Sequence, residues 1–322
     1  MCELQKILPS KLFETIERTG ISTVKQILYL SIWDIKKITG LSIEDIIMLK
    51  NIVADYFLPS SFTASKMLND VRCEDTKVTT GCSKFDSILL GGFRKGTITE
   101  IFGESGTGKT QLAIQASLHN WPSSIIYICT EDLFPIKRLN EIKKSIPNYD
   151  PRTDYGERIF VEHIIEAKDL LSCIKVRLPI LLTKHKFSLI IIDSVAAPFR
   201  VDNINYVQRA EELRELSIAL ISLSQEHNLA VLCINQVTTS IDDSGTLIPS
   251  LGLAWSNMVS TRLWIKKSMK TVNDSNLNDH VHNKEHSKLK IRELLVTFAP
   301  DLPNSVVEFV ITNRGIQATS NL

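Results

Sequence analysis

The sequence predicts an α/β protein, with a mostly parallel central sheet flanked by helices and a small all-α module in front of it. Two observations carry this. From residue 78 onward, short apolar runs that end in polar residues (98–102, 124–129, 189–192 and 230–234) alternate with helical patterns. Such alternation builds parallel strands whose helical crossovers pack on both faces of the sheet. Residues 4–57, in contrast, carry apolar residues at helical spacing and no strand pattern.

The N-terminal stretch contains an internal echo: Thr19-Gly20-Ile21-Ser22 recurs as Thr39-Gly40-Leu41-Ser42. In each copy a glycine follows a helix-like stretch, where a left-handed terminating residue is wanted. Each serine stands where it can cap the next helix, and Ser42 has Asp45 three places on, a spacing close to that of a capping box. Leu12, Phe13 and Ile16, then Val24, Ile27 and Leu28, then Ile46, Ile47, Leu49 and Val53 supply apolar faces. A bundle of about four short helices is expected over 1–57. A helix–hairpin–helix DNA clamp has similar features, but such hairpins usually show two glycines and each copy here has one. A protein-docking or packing module is the preferred reading.

Residues 58–77, LPSSFTASKMLNDVRCEDTK, break the pattern with Pro59, a serine pair and mixed charge, and read as a linker to a domain over 78–322. In that domain the helical pattern at 208–224 places Leu213, Leu216, Leu220 and Leu223 on one face. Residues 261–266 and 289–298 read as strands flanking a polar stretch, 271–288, expected to be a mobile loop. His280, His282 and His286 fall there, and a solvated loop is preferred over a metal site.

Composition narrows the function. A length of 322 residues, 43% apolar and 23% charged, suits an ordinary globular protein of one large domain or two unequal ones. With a net charge of +1 there is no global positive field, so any DNA contact must come from local basic groups. Six cysteines without a CxxC pair, two of them (Cys129 and Cys233) in apolar strand-like runs, suit reduced, buried thiols. The N-terminus MCELQKILPSK has charges where a signal peptide needs an apolar core, and no apolar stretch is long enough for a bilayer. A soluble intracellular protein without a membrane partner is expected.

The chemistry begins at TITEIFGESGTGKTQLAIQAS, a strand, a loop and the start of a helix. Within it, Gly103, Glu104, Ser105, Gly106, Thr107, Gly108, Lys109 and Thr110 complete the phosphate-loop pattern, followed by Gln111. The glycines let successive N–H groups face phosphates, and the helix adds its positive end. Lys109 is expected to reach the β- and γ-phosphates of ATP, and the Thr110 hydroxyl to ligate Mg2+. A second metal-side carboxylate is expected from Asp193, at the end of FSLIIIDS. IIYICTEDLF delivers Glu131, which could activate water, or serve as a helix-cap neighbour or salt-bridge partner. Gln236 follows the strand ending Cys233-Ile234-Asn235, where it could sense a γ-phosphate or complete a turn. All four motifs fall at the carboxyl ends of strands, where open α/β sheets bind ligands.

The blocks TTGCSKFDSILLGGFRKGTITEIFGESGTGKTQL, YICTEDLFPIKRL, IIIDSVAAPFR and CINQV resemble the P-loop ATPase core of the RecA/RadA strand-exchange recombinases, and more closely the eukaryotic recombination paralogues. The resemblance runs over essentially the whole chain. It implies that Glu131 activates water, that Arg138 lies over the adenine and that Gln236 couples the γ-phosphate to the segment after it. It also implies two disordered DNA-facing loops, at about 200–209 and 237–252. The first keeps Arg200, Tyr206 and Arg209 as candidate DNA contacts. The second, VTTSIDDSGTLIPSLG, has Asp242 and Asp243 and no cation or aromatic, so it lacks what phosphates and bases require.

Two further departures bear on function. In TFAPDLPN, Phe298 stands where recombinases place an aspartate that caps the neighbour's ATP. In the linker, Phe62-Thr63-Ala64-Ser65 stands where recombinases carry Phe-x-x-Ala to dock on the next protomer, so Phe62 and Ala64 are candidate docking residues. The resemblance therefore implies a nuclear, ATP-binding mediator of homologous recombination. It would pair with another paralogue and assist the strand-exchange recombinase on single-stranded or branched DNA, with weak hydrolysis when isolated. A nucleotide-clipped scaffold and a filament-forming recombinase are the alternatives.

Overall fold

The computed structural model describes residues 3–21, 23–57, 63–68, 76–147, 149–200, 206–240, 245–273 and 288–319. The chain divides into two compact units, Met1–Arg72 and Cys73–Leu322.

Over 1–57 the described residues form five helices where about four were expected: α1 (Glu3–Ile7), α2 (Ser10–Arg18), α3 (Val24–Tyr29), α4 (Ile32–Thr39) and α5 (Ile43–Phe57). A short α6 (Ala64–Leu68) lies within the predicted linker. Gly40 ends α4 in the left-handed conformation, and the Ser42 hydroxyl caps α5 by accepting from the Asp45 N–H at 3.1 Å. Ser22 lies outside the described residues; α3 is capped instead by Thr23, in a capping box with Gln26. Leu4, Leu8, Ile16, Ile27, Leu49 and Val53 form the core. Leu28 and Ile47, expected on apolar faces, are exposed. Each immediately follows a fully buried isoleucine, Ile27 and Ile46, and i,i+1 neighbours on a helix that buries one face point to different sides of it.

The second unit opens with β1 (Lys77–Val78), α7 (Ser83–Ile88) and β2 (Phe93–Arg94), then β3 (Ile98–Phe102), α8 (Lys109–His119), β4 (Ser124–Cys129), α9 (Ile136–Ile142) and β5 (Ile159–His163). After β5 come α10 (Ala167–Ser172), a π-helical turn, α11 (Leu178–Lys184), β6 (Phe187–Asp193), α12 (Tyr206–Glu226) and β7 (Ala230–Asn235). The remainder is β8 (Val237–Thr239), β9 (Leu247–Pro249), α13 (Gly252–Ser256), β10 (Thr261–Asn273), β11 (Lys288–Phe298), β12 (Val306–Thr312) and β13 (Gly315–Ala318).

Nine strands form one sheet in the order β13-β12-β11-β10-β3-β7-β6-β4-β5. The strands from β10 to β5 run parallel, and β10 to β13 form an antiparallel extension. Period-two alternation sorts the central strands between two cores. Ile125 and Tyr127 on β4, with Leu189 and Ile191 on β6, join Leu112 and Ala116 of α8. Ile126, Ile128, Ile190 and Ile192 turn the other way onto α10, α11 and the Leu213–Leu216–Leu220–Leu223 face of α12. Buried on both faces, these strands read as nearly unbroken apolar runs.

A polar exception sits inside this sheet. Glu100 of β3 is fully buried and pairs with Arg262, its register partner on β10. Its carboxylate also accepts from Asn235 Nδ2 at 2.6 Å and from Trp255 Nε1 at 2.8 Å. Three donors, from β7, α13 and β10, thus converge on one buried charge, and Arg262 NH2 further donates to Ser256 Oγ at 3.0 Å. Removing the cation while leaving the carboxylate buried is costly. Arg262→Ala is expected to lower stability by about 3–5 kcal/mol in urea denaturation. Adding Glu100→Gln should recover much of that loss, because a neutral amide carries no buried charge.

Candidate functional site

The phosphate loop joins β3 to α8 as expected. Gly103 lies so close to β10 that an added Cβ would collide with the Ile265 carbonyl. Gly108, at φ +110°, caps α8, and a Cβ there would come 2.6 Å from Ile311 Cδ1. Both positions therefore demand glycine. The buried Thr107 hydroxyl donates to the Glu104 carbonyl at 2.9 Å and holds the loop's curve. Lys109 Nζ donates to the Gly103 and Glu104 carbonyls at 2.7 and 2.8 Å. Burial pulls the Lys109 pKa down, while Asp193 and Glu131 oppose that shift.

Asp193, at the end of β6, faces the start of α8. Its Oδ2 accepts from the Thr110 hydroxyl and from the Tyr127 hydroxyl, each at 2.8 Å. Burial pushes the Asp193 carboxyl up, and the two hydrogen bonds and the Lys109 charge pull it back. The same enclosure, with Asp193 beside it, drives Cys129 up to about 12. The Asp193–Ser194 peptide is cis, and the Thr130 hydroxyl brackets it, donating to the Ser194 carbonyl at 2.6 Å and accepting from its N–H at 2.8 Å. The Ser194 hydroxyl is buried without a hydrogen-bond partner. Thr110, Asp193 and the orphaned Ser194 offer hard oxygen donors at one spot, a set that suits Mg2+ retaining several waters.

Glu131 lies beyond the end of β4, where Gln236, beyond β7, donates Nε2 to both of its carboxylate oxygens at 2.8 and 3.0 Å. Gln236 is itself held: its N–H donates to Asn235 Oδ1, and its carbonyl accepts from the Ser250 N–H at 2.9 Å. Arg138 of α9 donates to Gln111 Oε1 at 2.6 Å and to the Thr312 carbonyl, tying α8 and β12 into one wall. These groups line a cleft of about 640 Å3, within the range of small-molecule sites.

The loop residues fall elsewhere. Arg200, a candidate DNA contact, is bound to Glu131 at 2.9 Å. Tyr206 and Arg209 stand in the first turn of α12, with Arg209 over the Tyr206 ring at 5.2 Å, and neither lines the cleft. Of the segment expected as a disordered second loop, Val237–Thr239 and Leu247–Pro249 pair as an antiparallel hairpin instead. Its β-branched residues satisfy their backbone groups across the pair. Asp242, Asp243, Phe62 and the three histidines lie outside the described residues. Ala64 is exposed on α6, and Phe298 closes β11 half-exposed.

Three participants were not singled out in the sequence. Tyr127 reads as an apolar strand residue, and Ser194 as the residue after a strand. Arg292 of β11 directs NH2 to the Gly106 carbonyl at 3.5 Å and leaves Nε buried without a partner. Only the strand register, Cys129 beside Asp193 and Lys267 opposite Arg292, brings these groups to the loop.

A Rad51 family model matches residues 71–271. The chain belongs to the Rad51 family. It is 30% identical to the DNA repair protein XRCC3 of Bos taurus, over 96% of each chain. It is also 30% identical to the DNA repair protein rhp57 of Schizosaccharomyces pombe, over 78% of this chain and 83% of the relative. Similarity extends to the meiotic recombination protein DMC1 of Saccharomyces cerevisiae, at 26% identity over 96% of this chain and 90% of the relative. The matched residues carry most of the cleft just described, and β12 beyond them adds Ile311 and Thr312 to its lining.

Asp193→Asn tests the metal side. The amide oxygen can still accept from Thr110 and Tyr127, while the enclosed charge is gone. The nucleotide-free protein should melt at the same or a slightly higher temperature, a gain of less than about 1 kcal/mol. Mg2+-dependent nucleotide binding should fall far more than binding measured in EDTA.

Proposed function

We propose that this chain is an ATP- and Mg2+-binding mediator of homologous recombination in DNA repair. It works in the nucleus, in a complex with another recombinase paralogue, and assists the strand-exchange recombinase on single-stranded or branched DNA. The observation that carries the nucleotide part is the meeting of four strand ends at one cleft: the phosphate loop, Thr110 with Asp193, and Glu131 with Gln236. The repair role rests on family membership and on the relatives' names as DNA repair proteins. None of the described helices is long and apolar enough to cross a membrane.

In this reading the loop amides and α8 N-terminus bind the phosphates, and Lys109 exchanges its carbonyl partners for phosphate oxygens. Thr110 and Asp193 would hold Mg2+, which when bound would supply positive charge beside the phosphates. Glu131 orients and deprotonates the attacking water. Gln236 senses the γ-phosphate through its donor amide and passes the change to β8 and β9 through the Ser250 contact. Arg138 and Gln111 form the base-side wall.

DNA attraction has local support in β11. Arg292, Lys290 and Lys288 alternate onto one face, and Lys267 stands directly opposite Arg292. Among the described residues none of these four cations is in an ion pair, whereas the other face is neutralised by Lys266–Glu293 and Lys270–Glu308. Like charges opposed across strands repel, and an anion laid over them relieves that repulsion.

Three measurements test this. Lys109→Ala should abolish or greatly weaken ATP binding, and an unchanged affinity would remove the site assignment. Lys267→Ala with Lys290→Ala should flatten the salt dependence of single-stranded DNA binding by about 0.7 log units per lost phosphate contact. Glu131→Gln should lower the chain's slow turnover while leaving ATP-dependent assembly with its partner intact. Rapid hydrolysis by the lone wild-type chain, or identical assembly in ATP and ADP, would overturn the mediator reading.

A further inference from the structure

Both oxygens of the carboxylate assigned to water activation already accept hydrogen bonds from protein donors. Gln236 Nε2 spans both Glu131 oxygens from the β7 side, and Arg200 NH1 takes Oε1 at 2.9 Å from the β6 side. Arg200 reaches it from the end of the 3-10 turn Ala197–Phe199, whose Ala197 carbonyl accepts the Arg200 N–H at 3.2 Å. That turn is anchored by Phe199, 1% exposed in the core beneath α12, so the guanidinium is delivered by a rigid element.

Stability does not explain the pair. Arg200 and Glu131 side chains are 50% and 36% exposed, and ion pairs so exposed add little to folding. Its consequence falls on the carboxylate's lone pairs. A general base takes a proton only through a lone pair that faces the water, and a charge-assisted bond is the hardest kind to displace. Gln236 has a reason to leave Glu131 when a γ-phosphate offers its amide an acceptor. Arg200 has no second acceptor among the described residues other than this carboxylate.

We infer that Arg200 is a positioning residue that restrains Glu131, so that breaking the Arg200–Glu131 pair limits how fast this chain can turn over ATP. The inference rests on the reading of Glu131 as the water-activating group. It runs opposite to the role an arginine near a phosphate site would otherwise suggest, donation to the transferring phosphate, and the two roles predict changes of opposite sign.

The experiment measures ATP turnover and binding of a fluorescent ATP analogue by the full chain, as wild type, Arg200→Ala, Arg200→Lys and Arg200→Ala with Glu131→Gln. Arg200→Ala should raise kcat about three- to fivefold, the factor to which a pair of about 1 kcal/mol corresponds, with KM within about twofold. Arg200→Lys should return kcat towards wild type, and Glu131→Gln should cancel the gain. An unchanged or lower kcat in Arg200→Ala, with analogue binding intact, overturns the restraint and leaves the nucleotide site standing. Failure of the wild type to bind the analogue overturns the nucleotide site itself, and the restraint with it.

Discussion

One oxygen of Asp193 accepts hydrogen bonds from α8, through Thr110, and from β4, through Tyr127. The carboxyl is enclosed enough that burial pushes its pKa up, and those donors pull it back. Making both bonds fixes several elements at once. β6 must end one residue after Ile192, β4 must present Tyr127 to the α8 face, and the helix must begin at Lys109 for Thr110 to point down. The rest of the cleft is arranged around this point, since Lys109 and Glu131 both act on the same charge.

A second chain of contacts leads from the sheet interior to the cleft. Glu100 and Arg262 form a buried ion pair that alone adds little net stability. Their position gives the pair a geometric role: Asn235 donates to Glu100 with its amide and accepts the Gln236 N–H with its carbonyl. Gln236 then spans Glu131, and the Asn235 amide also reaches the Ser250 carbonyl at 2.9 Å. Gln236, proposed above as a γ-phosphate sensor, is thereby connected to the strand that leads into the phosphate loop and to the foot of the β8–β9 hairpin. Each link is a defined hydrogen-bonded contact, which is the kind of connection that can carry a two-state change.

Much of this architecture is legible in the residues because local chemistry dictates it. Gly103 and Gly108 have no alternative, the buried strands announce themselves as apolar runs, and the α12 leucine face follows helical spacing. What the sequence conceals depends on register. Tyr127 becomes a partner of Asp193 only because Cys129 lies beside Asp193 across the sheet. Arg292 comes to Gly106 only because β11 pairs with β10 and β10 with β3. The reading of 200–209 as a DNA-facing loop put Arg200, Tyr206 and Arg209 together. Instead, Arg200 turns inward to a carboxylate that no local pattern links to it, and the other two belong to a helix. The five helices described over 1–57, one above expectation, include α1, a single short turn whose Leu4 is buried against the rest.

Charge placement completes the physical picture. The whole chain carries only +1, so long-range attraction to a polyanion is weak, and what matters is where cations lack partners. On β10 and β11 the two faces differ sharply. Lys266 and Lys270 are each matched to a glutamate, while Lys267 and Arg292 oppose one another with burial already lowering the Arg292 pKa. A cation that is partly desolvated and set against another cation is unfavourable in isolation, and it becomes favourable only when an anion sits over both. Because Arg292 also touches the Gly106 carbonyl, that anion would rest against the outside of the phosphate loop.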